Sequence, residues 1–128
     1  MAGAPGVSPV KTLPGGECGG FLEFKFILDR ERLTCTTDEF LAVAKAEGVP
    51  ATPDRYGTLH TAAVFRRGGP LTIASLTTAA RNGAVPQLPN TDGLRGRVIT
   101  LPAFTDVPEK FVRQCGAALR KVAEHRVR

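Results

Sequence analysis

The stretch from Phe21 to Asp29 constrains the fold more than any other. Leu22, Phe24, Phe26 and Leu28 alternate there with Glu23, Lys25, Ile27 and Asp29. Successive side chains of an extended strand point to opposite faces, so this segment predicts a strand with one apolar face and one mostly polar face. A strand of that kind belongs to a sheet covered on one side.

Two helices bracket the rest of the pattern. Thr36 to Ala46 opens with Thr36 and Glu39, the T-x-x-E spacing of a capping box. Phe40, Val43 and Ala44 line one stripe with Leu41 beside them, Gly48 marks the stop and Pro50 closes it. The last helix is predicted over Val107 to Glu124, with Asp106 and Glu109 repeating the capping pattern and Pro108 in the first turn. Phe111, Cys115, Ala118, Leu119 and Val122 form its core stripe. Between these helices, Ala51 to Arg67 reads as loop with short extended pieces. Leu71 to Arg81 reads as a helical piece with Pro70 at its first turn. Asn90 to Arg97 reads as a short helical turn capped by Asn90, and Val98 to Leu101 as a strand ended by Pro102. Met1 to Gly20, with Pro5, Pro9, Pro14 and six glycines, reads as an irregular lead-in or linker. The order predicts an α+β domain over 21–128: a small, mainly antiparallel sheet with helices packed on one face.

At 128 residues and 42% hydrophobic content the chain has room for one domain with a modest core. No apolar run approaches the roughly 20 residues that span a bilayer, and no secretory leader is recognisable, so the expected location is cytoplasmic. Cys18, Cys35 and Cys115 are odd in number and widely spaced, which favours reduced thiols over a zinc site or a disulfide framework. The net charge of +5 gathers partly at the C-terminus, in Arg113, Arg120, Lys121, Arg126 and Arg128. Aromatic residues that would stack on bases are missing there, so a solvated basic face is favoured over a nucleic-acid surface.

Catalytic patterns are sparse. His60 and His125 are the only histidines, and no nucleophile elbow, zinc-protease helix, phosphate loop or dinucleotide fingerprint occurs. Asp38-Glu39 and the Asp106/Glu109 pair fall at helix starts, where carboxylates meet free backbone N–H groups and the favourable end of the dipole. The segment Tyr56-Gly57-Thr58-Leu59-His60 places a phenol and an imidazole in one glycine-containing loop. Histidine carries protons at physiological pH and tyrosine donates or accepts a hydrogen bond, so these two are the candidate substrate-binding residues. Ordinary loop residues with satisfied hydrogen bonds are the competing reading.

Several segments, in this order, resemble the C-terminal small domain of the DegT/DnrJ/StrS family of pyridoxal-phosphate-dependent sugar aminotransferases. The likeness runs from about residue 14 to 124. It includes the Phe21–Asp29 strand, and the run Asp38 to Val49 ending in a glycine-valine turn. Tyr56 through His60 follow, with Phe65 after them; Thr58 stands where the family has proline. Leu88 to Leu94, Val98 to Phe104 and the closing helix complete it. The resemblance implies a type I aminotransferase small domain, one wall of a sugar-binding cleft to which Tyr56 and His60 contribute. It also implies that the cofactor lysine, the acid pairing the pyridine nitrogen and the phosphate loop lie in a larger domain. Lys11, Lys25, Lys45, Lys110 and Lys121 match no such motif, so no catalytic or cofactor-binding residue is assigned. The implied chain is a truncated product or small subunit, inactive without a large-domain partner. It would work on a keto-sugar or aminocyclitol precursor in amino-sugar or antibiotic biosynthesis, as part of a hetero- or homo-oligomer. The alternative is a repurposed, non-catalytic domain that binds a sugar or regulates an aminotransferase subunit. In either case the face that once packed on a large domain would be exposed, with the Phe21–Asp29 strand and the glycine-rich arm the expected places for it.

Overall fold

A computed structural model describes residues 3–17, 22–62 and 87–127. They comprise strands β1 (Val7–Pro9), β2 (Glu23–Leu28), β3 (Thr52–Pro53) and β4 (Val98–Pro102), and helices α1 (Thr37–Ala46), α2 (Pro89–Leu94) and α3 (Glu109–Glu124). The fold is α+β. The four strands make one antiparallel sheet in the order β1-β2-β4-β3. The expected helical piece at Leu71 to Arg81 lies outside the described residues.

Register explains the core. Phe24 sits opposite Leu101 and Phe26 opposite Ile99, so the apolar residues of β2 and β4 share a face. Phe26, Leu28, Ile99 and Leu101 are buried there in one cluster with Phe40, Leu41 and Ala44 of α1 and Cys115, Leu119 and Val122 of α3. Each fully buried side chain of this size stabilises the fold by roughly 1.5–3 kcal/mol through the water it sheds. The other face carries Glu23, Lys25 and Thr100, with Lys25 directly opposite Thr100. The alternation in the sequence therefore sorts to the faces it predicts, and the apolar face of β2 is covered rather than exposed. Among the described residues, the exposed apolar side chains near it are Val10, Leu13 and Leu22.

The N-terminal stretch corrects an expectation. It is not irregular throughout: β1 pairs with β2, matching Val7 to Leu28 and Pro9 to Phe26, and Ala4 and Val7 join the core. Gly6 makes this possible. Its φ is +69°, and a Cβ there would lie 2.8 Å from the buried Leu33 side chain. Three prolines and several glycines hid a strand only three residues long.

The helix ends divide in the same way. At α1 the full capping box forms: the Glu39 N–H donates to Thr36 Oγ1 at 3.2 Å, and the Thr36 N–H donates to Glu39 Oε2 at 2.8 Å. Gly48, at φ +81°, takes the left-handed conformation that ends the helix. At α3 the expected capping box is absent. The helix starts at Glu109 with Pro108 before it and no side-chain cap, and Glu109 instead accepts from Arg113 Nε at 3.0 Å one turn on. α2 likewise begins after Leu88 with no side-chain cap, so Asn90 lies inside it.

The chain divides into two compact units where one domain was expected: Met1–Asp54 with Gly96–Arg128, and Arg55–Arg95. The sheet, α1 and α3 belong to the first, and α2 to the second. Among the described residues, no helix is long and apolar enough to cross a membrane.

Candidate functional site

The chain leaves the sheet unit at Asp54 and returns to it at Gly96, and both points are tied down. The Asp54 N–H donates to the Val98 carbonyl at 3.2 Å, and its carboxylate accepts from Lys25 Nζ at 2.7 Å. The Gly96 carbonyl accepts from Thr37 Oγ1 at 2.6 Å and Arg30 Nη2 at 2.9 Å. Arg97 Nε donates to the Leu28 carbonyl at 2.9 Å, setting the start of β4.

Within Arg55–Arg95, the segment expected to carry chemistry is a 3₁₀ turn, Leu59–Thr61. The Thr61 N–H and Oγ1 both donate to the Thr58 carbonyl, at 3.0 and 2.8 Å, and the Ala62 N–H donates to the Leu59 carbonyl at 2.9 Å. Thr58 is the position at which the sequence reading expected a proline. Its φ of −67° is the value a proline ring imposes, so the backbone keeps that shape without the ring. Its hydroxyl meets the Thr61 hydroxyl at 3.0 Å, a hydrogen bond proline could not make.

The turn fixes His60. Its Nε2 lies 3.1 Å from Asp92 Oδ1 on α2, and the imidazole is 8% exposed against 45% for the carboxylate. Tyr56, four residues earlier, is 67% exposed. The two candidates therefore differ: Tyr56 is mostly exposed, whereas the imidazole is largely enclosed and lies beside an acid. Asp92 was not among the expected site residues. It lies far from His60 in sequence, and in the pattern it reads as one acid of a short polar helix start. The order of segments that suggested the family passes through Leu88 to Leu94, yet nothing local marks Asp92 as a partner of His60.

The lysines do not fit a covalent anchor for pyridoxal phosphate. A lysine must be a neutral amine in an accessible cleft to attack an aldehyde. Lys25 is held as an ammonium: its hydrogen bond to Asp54, aided by Glu23 at 3.4 Å, raises its pKa despite partial burial. Lys121 is paired with Glu47 at 2.7 Å on the helix surface, and Lys11, Lys45 and Lys110 are exposed. Arg55–Arg95 contains no lysine at all. Among the described residues, the cysteines offer no substitute nucleophile. Burial pushes the thiols of Cys35 and Cys115 up, away from the reactive thiolate, and Cys18 lies outside the described residues. His125, the other histidine, is exposed at the end of α3.

A groove of about 640 Å³ runs between the end of α1 and α3, lined in part by Glu47, Phe111, Cys115, Ala118 and Lys121. Neither Tyr56 nor His60 lines it. Set against known proteins, the chain matches no family model and no curated sequence.

Proposed function

We propose that this chain is the substrate-side part of a two-part aminotransferase, with the cofactor chemistry supplied by a large-domain subunit. Its substrate class is a keto-sugar or aminocyclitol precursor of secondary metabolism. The observation that carries this reading is the composition of Arg55–Arg95: an exposed Tyr56 and an enclosed His60 beside an acid, in a unit without lysine. Those groups suit binding of a hydroxylated ligand, by donating and accepting hydrogen bonds, and do not suit anchoring an aldehyde cofactor. The collinear segments that resemble the DegT/DnrJ/StrS small domain support the same assignment, as does the α+β sheet with α1 and α3 on one face. Pyridoxal phosphate, when bound in the complete enzyme, would supply the electron sink for amino transfer. This chain's contribution is to hold and orient the sugar.

Two measurements test the proposal. Pyridoxal phosphate added to the purified chain gives no lysine-dependent absorbance band, and a strong band abolished by a lysine substitution would overturn the assignment of cofactor chemistry to another subunit. Purification of the tagged chain from its native host recovers a stoichiometric large-domain aminotransferase subunit. Recovery of a bound sugar with no such subunit would reassign the chain to ligand binding alone.

A further inference from the structure

We draw no further inference here: the strongest candidate, the groove of about 640 Å³ between the end of α1 and α3 with Phe111, Cys115 and Ala118 in its lining, is a largely apolar face for which nothing in the structure shows what covers it.

Discussion

The sheet unit and the described residues of Arg55–Arg95 are built on different principles. Among the described residues, every member of the buried hydrophobic core lies in the sheet unit, from Ala4 to Ala123. Among the described residues of Arg55–Arg95 none is buried, and the local structure is a single 3₁₀ turn and a six-residue helix. The first is held by shed water and by a hydrogen-bonded sheet. The second is held, as far as it is described, by short-range hydrogen bonds and the His60–Asp92 contact. The difference teaches where to look for function. Side chains that pack a core have no freedom to meet a ligand, whereas loop segments leave polar groups open to one. Within the sheet unit, Asp54 is tied to Lys25 and β4, and Gly96 to Arg30 and Thr37.

Substitutions should separate the two units. The largest effect is expected for Phe40→Ala. Phe40 is fully buried between α1 and the sheet, and its removal leaves a cavity worth about 3–5 kcal/mol. Denaturant unfolding would show it, and a loss under 1 kcal/mol would mean that α1 does not seal the core. Next comes Gly6→Ala, expected to cost about 2 kcal/mol. It imposes a positive φ on a residue with a Cβ and pushes that Cβ into Leu33. A neutral outcome would return the N-terminal stretch to the status of an ornamental arm. Thr36→Ala should cost about 1 kcal/mol through loss of the cap on α1.

The same cap has a pH signature of known sign. Glu39 accepts from the Thr36 N–H, and this bond first, with the Thr36 hydroxyl second, holds its carboxyl below the ordinary value of 4.5. A lowered folded value means that the contribution is complete above the ordinary range. It fades as pH falls through the lowered one. Thermal unfolding from pH 7 downward should show this loss in the native chain and less of it in Glu39→Gln. The smallest effect on stability is expected for Tyr56→Ala: within about 0.5 kcal/mol, since the residue is mostly exposed. If the proposed function holds and Tyr56 faces the ligand, turnover with the large-domain subunit falls while the melting temperature holds. A stability loss above 1 kcal/mol would give Tyr56 to the fold and remove it from the site.

Much of the sheet unit was legible in the sequence because its rules are local. The alternation from Leu22 to Leu28, the T-x-x-E box at Thr36 and the stripe through Cys115, Leu119 and Val122 each state a period that only one secondary structure satisfies. Where local rules competed, the reading slipped. The acids at Asp106 and Glu109 offered a second capping box, but Pro108 took the cap position and Glu109 turned to Arg113. At β1 the prolines and glycines argued for irregular chain, while the unpaired edge of β2 supplied a partner that the segment could not announce by itself.

The candidate site divides along the same line. Sequence alone determined that a phenol and an imidazole share one short loop, since Tyr56 and His60 are four residues apart and no other tyrosine exists. It also determined that Arg55–Arg95 has no lysine to offer a cofactor. Only the tertiary structure decided that the imidazole is enclosed, that Tyr56 is mostly exposed, and that Asp92 is what the imidazole meets. The physical reason is range. Backbone periodicity and caps act over three or four residues, and a sequence displays them directly. A contact between residues in separate segments depends on where the intervening chain brings them, and no local pattern records that.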